Sequence, residues 1–174
     1  MKKLLCLLLC LLLCLLLPCA ALAEEIAPLS SDDFTLTVEE TAFTLGEDAA
    51  ALVDALEALT GAPLEVTETV SCMFSGMDRE FAGDAVLVGT YPIGPDGGDV
   101  VESVMVFTDA LTPARGAAVG MTREEIEALY GADYFLDWDT MIYSLGELEP
   151  QLMFTLDLET GAVVSWMLLR NTVA

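Results

Sequence analysis

The sequence predicts an α+β fold of two tandem repeats, each an α-helix packed on an antiparallel β-sheet. Two segments carry the apolar spacing of an amphipathic helix together with start and stop signals. Each is followed by strand-like segments that are separated by turn residues. Because a helix and the sheet that follows it can bury their apolar faces together, this order of elements favours the α+β class.

The first helical segment is TLGEDAAALVDALEALTG, residues 44–61. Glu47 and Asp48 suit a helix N-terminus, and Gly61 followed by Pro63 ends the helix. Its predicted apolar stripe consists of Ala49, Leu52, Val53, Leu56 and Leu59.

The second helical segment is VGMTREEIEALYG, residues 119–131. Thr122 occupies the N-cap position, and Glu125 follows three residues later, which is the spacing of a capping box. Gly131 supplies the stop signal. The apolar stripe of this helix is Ile126, Leu129 and Tyr130.

The segments after each helix are rich in β-branched and aromatic residues. The predicted strands are 66–74, 84–93 and 99–107 after the first helix, and 139–146, 151–158 and 162–169 after the second. In the segment 151–158, four apolar residues alternate with Met153, Thr155 and Asp157, so the two sets face opposite sides. The apolar set is Leu152, Phe154, Leu156 and Leu158. A further hairpin is expected over 33–46, and the sheet face away from the helices is left available.

Residues 1–23 have the features of a secretory signal peptide. Lys2 and Lys3 precede an apolar run over 4–17, and Ala21-Leu22-Ala23 forms a small-residue cleavage site. The apolar run is shorter than the ~20 residues that a membrane span needs. We therefore expect cleavage, no membrane span in the mature chain and an extracytoplasmic location.

Acylation of Cys19 is the alternative for this leader, although the preceding Pro18 disfavours it, since a lipidated cysteine follows a small residue. Beyond the leader, we expect a flexible tether over 24–32, a first repeat over 33–108 and a second repeat over 109–174.

The mature chain is strongly acidic. Removal of Lys2 and Lys3 with the leader takes the formal net charge from −23 to −25. Such a charge repels nucleic acid and anionic membranes, so both are excluded as partners. It favours solubility, or attraction of a basic protein or peptide.

The sequence offers little for catalysis. There is no histidine, and Cys72 is the only cysteine outside the leader. Cys72 alternates with Val70 and Phe74, which suits a core-facing position in a strand. Phosphate-loop, nucleophile-elbow, zinc and dinucleotide signatures are all missing, so no cofactor is expected. A hydrolase that uses two carboxylates is an unlikely alternative, because pairs are inevitable among so many acids.

A structural or calcium-dependent cell-surface module is a second alternative. Asp133, Asp137 and Asp139 cluster after the second helix, and Asp96 and Asp99 flank a glycine-rich turn. Calcium needs six to eight converging oxygens, and neither cluster has helix–loop–helix spacing. Solvated loop acids are the simpler interpretation.

The pattern G-x-T-x-E-E-I-x-x-L-Y-G, at 120–131, resembles small helix-on-sheet modules of bacterial envelope proteins. The tandem arrangement resembles the β-lactamase inhibitor protein fold, and a single module resembles the small lipoprotein of the outer-membrane assembly machine. The phrases FTLGEDAAALVDAL, SCMFSGMDREF, GTYPIGPDGGDVVESVMVF and TPARGAAVGMTREEIEALYG are similar to uncharacterised extracytoplasmic proteins of Gram-positive gut anaerobes. These resemblances imply a non-catalytic protein that presents one sheet face to a protein partner. They imply no particular partner.

Aromatic and methionine residues on the predicted strands are the candidates for that contact, because binding interfaces favour these residue types. The same residues could instead build the core, and the strand registers decide between the two. The candidates are Tyr91, Met105, Phe107, Tyr143 and Trp166.

Overall fold

The computed structural model describes residues 26–93 and 98–170. The predicted signal peptide, Cys19 and Asp96 lie outside these residues. No helix among the described residues is both long and apolar enough to cross a membrane.

The described chain contains two α-helices, ten β-strands and one short 3₁₀ turn, Ser31–Phe34. The helices are α1 (Ala49–Thr60) and α2 (Arg123–Tyr130). The strands are β1 (Thr35–Val38), β2 (Thr41–Thr44), β3 (Glu65–Val70), β4 (Met77–Ala82), β5 (Val86–Pro92), β6 (Asp99–Val106), β7 (Phe135–Asp137), β8 (Thr140–Ser144), β9 (Gln151–Leu156) and β10 (Val163–Leu169). The predicted α+β class is confirmed.

Eight of the strands form one antiparallel sheet in the order β3-β4-β5-β6-β10-β9-β8-β7, and β1 and β2 form a separate hairpin. The sequence predicts one sheet for each helix. The structure instead joins the strands that follow the two helices, because β6 and β10 pair with each other. This pairing satisfies two strand edges that separate sheets would expose.

Both helices have the predicted boundaries and caps. The Asp48 side chain accepts a hydrogen bond from the backbone N–H of Ala50 at 2.9 Å, and Gly61 ends α1 with a left-handed φ of 69°. The capping box of α2 is confirmed: the backbone N–H of Thr122 donates to Glu125 at 2.8 Å, and the Thr122 hydroxyl accepts from the Glu125 N–H.

The core lies on one face of the eight-stranded sheet. Leu52 and Leu56 of α1 and Ile126 and Tyr130 of α2 belong to a single buried cluster with alternate residues of the central strands. Leu36 and Val38 of β1 join the same cluster. The helices and the β1–β2 hairpin therefore cover one sheet face, and the opposite face is left open to solvent.

The strand predictions fail where the pattern is weak. The segment 66–74 ends as a strand at Val70, so Cys72 is an exposed loop residue and not the predicted core residue. Leu158 likewise lies exposed beyond the end of β9. Two strands, β4 and β7, are not predicted from the sequence at all.

The segment that the sequence predicts as a flexible tether is attached to the body from Ala27 onward. Arg115 donates to the carbonyls of Ala27 and Pro28 at 2.8 and 2.9 Å. It also donates to both carboxylate oxygens of Asp33 at 2.6 and 2.8 Å, and to the carbonyl of Leu129 at 3.0 Å. These bonds use all five N–H groups of the guanidinium.

Candidate binding interface

A row of apolar side chains crosses the open face of the sheet. Its members are directly paired across six neighbouring strands, from β5 to β7. They are Leu87, Met105, Met167, Met153, Ile142 and Phe135. We call this set the apolar row.

The geometry of the row follows from strand pairing. Directly opposite residues of an antiparallel pair project to the same face, and their neighbours along each strand project to the other. Met105 pairs with Met167, and the residues beside them, Val106 and Trp166, pair within the core. The same alternation places Met153 on the open face and Phe154 in the core.

Polar residues accompany the apolar row on both sides. On one side the paired residues are Thr67, Glu80, Gly89, Ser103, Leu169, Gln151 and Ser144. Leu169 is the one large apolar side chain among them. On the other side they are Ser165, Thr155, Thr140 and Asp137. An apolar strip inside a polar rim is the organisation of a protein-binding surface.

The members of the row remain accessible to different degrees. Phe135, at the edge strand, is 67% exposed. The five others are half-buried. Three adjacent methionines form the centre, and unbranched methionine adapts its shape to a partner.

The charge on this face is negative. Glu80 and Asp137 lie in the polar rim, and Asp78 and Glu102 line a hollow of about 300 Å³ beside Gly89. One carboxylate oxygen of Asp78, Oδ1, is shielded from solvent and has no hydrogen-bond partner among the described residues.

The arginines of the described chain are engaged with other side chains, and one of them, Arg79, lines the hollow itself. Arg79 pairs with Glu68 and Asp99 at 2.8 and 2.6 Å. Arg115 pairs with Asp33, as described above. The open face therefore has no positive charge in its rows to offset the acids.

The remaining two arginines are also engaged away from the row. Arg123 donates to the Tyr134 hydroxyl at 2.8 Å and lies 3.6 Å from Glu127. Arg170 donates to the Tyr91 hydroxyl at 3.1 Å.

The five residues proposed from the sequence separate into three groups. Met105 lies in the apolar row, and Phe107, 41% exposed, follows it at the end of the same strand. Tyr143 and Trp166 are fully buried, so the structure moves them from the candidate surface to the core. The Tyr143 hydroxyl donates to the carbonyl of Gly131 at 2.8 Å, and the Trp166 indole N–H donates to the carbonyl of Leu111 at 3.2 Å.

Tyr91, the fifth candidate, lies near one end of the sheet and apart from the row. Its ring stacks on Phe74 with the centroids 4.7 Å apart. Its hydroxyl accepts the bond from Arg170. Because the ring and the hydroxyl are both engaged, Tyr91 has a structural role in this fold.

Sequence reasoning missed five of the six members of the row. One signal was present: Met153 is apolar but alternates with the apolar side of its own strand. A single apolar residue on the polar side of a strand is common, and only a contiguous group of them indicates an interaction surface. The other members depend on cross-strand register, which the sequence does not display.

Trp138 is a second residue that sequence reasoning missed. It lies at the tip of the β7–β8 hairpin, is 82% exposed and has a left-handed φ of 56°. A bulky residue in this region carries backbone strain. Trp138 thus combines a strained backbone with a large aromatic ring in solvent, three residues after Phe135 in the chain.

The candidate calcium ligands do not assemble into a site. Asp139 accepts a hydrogen bond from the Thr140 hydroxyl at 3.1 Å. Asp133 lies in the loop after α2, and Asp137 lies on β7. Among the described residues no group of three or more acidic or cysteine side chains is placed to hold a metal ion.

Three groups with shifted pKa values lie on the packed side of the molecule. Burial raises the pKa of Tyr130 to about 12 and raises that of Tyr143 further. Burial also raises the pKa of Asp33, but hydrogen bonds from Arg115 and Ser30 outweigh it, so that the carboxyl lies below its usual range. Each of these groups has a structural partner, and none belongs to the open face.

Comparison with protein families, with curated proteins and with solved structures finds no match to this chain. The functional argument therefore rests on the geometry of the surface itself.

Proposed function

We propose that this is a secreted, non-catalytic binding protein that holds a basic protein or peptide against its open sheet face. The apolar row carries the proposal. A contiguous strip of six apolar side chains, aligned by register and left uncovered, is characteristic of an interaction site. Full burial of such side chains contributes about 1.5–3 kcal/mol each, and these half-buried ones would contribute part of that.

The charge distribution supports a basic partner. The rim acids Glu80 and Asp137 lie beside the row, and the described arginines are already engaged with other side chains. Electrostatic attraction to such a face speeds association and selects against acidic partners.

We further infer that the fold arose from two copies of one unit. One helix precedes β3–β6 and the other precedes β7–β10, and the sheet order of the second half mirrors the first. The arrangement supports the predicted tandem repeat, with the two four-stranded sheets fused edge to edge through β6 and β10.

An extracytoplasmic location completes the proposal. The leader over 1–23 has the composition of a signal peptide. A single cysteine outside the leader and the acidic composition agree with a protein released to, or retained at, the envelope.

Site-specific photo-crosslinking tests the function. A photoreactive amino acid replaces Met153 in one variant and Leu59 in another; Leu59 is an exposed apolar residue of α1 on the opposite side of the sheet. We expect one envelope protein to crosslink through position 153 and not through position 59. Equal crosslinking at both positions, or none at position 153, contradicts the proposal.

A further inference from the structure

We propose that the partner segment is a basic amphipathic α-helix that lies across the strands, along the apolar row. This inference rests on the proposed function and names the class of partner. It follows from the spacing of the row, its length and the charges beside it.

The spacing of the row fits a helix better than a strand. Neighbouring strands are ~4.8 Å apart, so the row presents an apolar side chain about every 4.8 Å. A helix presents one apolar side chain per turn, about every 5.4 Å, which is within about 0.6 Å of the spacing of the row. An extended strand presents same-face side chains about every 6.8 Å, which drifts out of register after two steps.

The length of the row defines the length of the partner segment. The row runs over five strand intervals, from Leu87 on β5 to Phe135 on β7. At ~4.8 Å per interval this distance is about 24 Å, which a helix of roughly 16 residues spans. Apolar residues at i, i+3, i+4 and i+7 would then contact successive strands.

The acidic hollow favours a helix that carries positive charge. Asp78, Glu80 and Glu102 line the hollow beside Gly89 and the β5–β6 part of the row. Arg79 lines it too, but its charge is already paired with Glu68 and Asp99. A Cβ atom at Gly89 would lie 2.6 Å from the Ser103 hydroxyl oxygen, so a side chain at this position would displace that hydroxyl and enter the hollow. The Asp78 Oδ1 atom, buried without a partner, would gain a charge-assisted hydrogen bond from a lysine or arginine of the helix.

Two synthetic peptides of 18 residues test the inference. Both contain the same leucine, methionine, lysine and arginine residues, arranged with helical apolar spacing in one and with alternating spacing in the other. Because the two peptides have the same charge, their nonspecific electrostatic attraction to this acidic protein is the same. We expect the helical peptide to bind at least tenfold more tightly, to gain helical circular dichroism and to shift the Met153 and Met167 methyl signals.

Matched variants locate the binding. Replacement of Met153 and Met167 together by threonine retains strand propensity and removes the centre of the row. We expect it to weaken the affinity for the helical peptide at least tenfold. Leu158→Thr, at an exposed apolar residue outside the row, should leave this affinity unchanged.

Three results would overturn the inference. The first is equal affinity for the two peptides. The second is an affinity that stays the same when Met153 and Met167 are replaced. The third is a protein that self-associates and that the double variant converts to a monomer. The last would show a second copy of the chain on this face. If position 153 crosslinks an envelope protein while the two peptides bind equally, the proposed function stands and the helical partner is wrong.

Discussion

Loss of the Arg115 guanidinium should destabilise the fold more than any other single loss of charge in the described chain. The Asp33 side chain is 6% exposed and the Arg115 side chain 17%, so the pair is largely removed from water. Replacement of Arg115 by methionine leaves the Asp33 carboxylate buried without its counter-charge. Breaking a buried pair in this way costs about 3–5 kcal/mol. For a chain of this size we expect the melting temperature to fall by roughly 10 °C.

The loss should depend on pH, with a defined sign. In the native protein the pKa of Asp33 is depressed, so its contribution to stability is present above the unfolded value near 4 and is lost as pH falls through the folded pKa. Without Arg115, only the hydrogen bonds from Ser30 oppose the effect of burial, so the pKa of Asp33 rises relative to the native protein. The cost of the substitution should therefore be largest at neutral pH and smaller at pH 4.

Denaturant unfolding at pH 7 and pH 4, followed by circular dichroism, measures both effects. Arg123→Met is the matched control, because Arg123 is more exposed and its Glu127 contact is 3.6 Å long. We expect the control to cost less than about 1 kcal/mol. A loss below 1 kcal/mol for Arg115→Met, or an equal loss at the two pH values, would refute the reasoning.

Three further predictions concern local features. Thr122→Ala removes the N-cap of α2 and should cost about 1 kcal/mol in thermal unfolding; no change would mean that the capping box is not formed. Trp138→Gly should stabilise the protein by roughly 0.5–1 kcal/mol, because glycine adopts the left-handed φ without strain, and a loss of stability would show that the exposed ring has a contact in the fold. Tyr130 should not ionise in the folded protein until about pH 12, so its contribution to stability is present below the unfolded pKa of ~10 and is lost above it. Absorbance titration at 295 nm measures this, and full ionisation of all tyrosines near pH 10 without unfolding would contradict it.

The sequence predicts correctly those features that are local. The caps of α2, Thr122 and Glu125, lie within one turn of each other, so their spacing is sufficient to place the helix. The stop at Gly61 is likewise a property of one residue. The α+β class follows because helical and alternating patterns are separated along the chain.

Features that depend on distant pairing could not be predicted. Strand β4, with the sequence MDREFA, has three charged residues in six and no apolar alternation, and its place in the sheet comes from β3 and β5. The union of the two halves depends on β6 and β10, which are far apart in the chain.

The sequence predicts a sheet face with aromatic and methionine residues as the candidate surface, but it identifies only one residue of the apolar row, Met105. An aromatic or methionine residue on a strand faces the core or the solvent according to register, and a shift of one residue exchanges the two. Trp166 and Tyr143 occupy the core face, whereas Met105 occupies the open one. Met167, which pairs with Met105, and Met153, which pairs with Met167, become their neighbours only when the sheet is assembled.

The most direct test of the central claim uses the protein labelled at its methionine methyl groups. Its methyl NMR spectrum is recorded while the envelope protein identified by crosslinking is added. Met105, Met153 and Met167 lie in the apolar row, and Met141 is fully buried on the opposite face as an internal control. We predict that the three row signals shift or broaden together and that the Met141 signal does not. Unchanged row signals, with shifts at the exposed loop residue Met73 instead, would contradict the account.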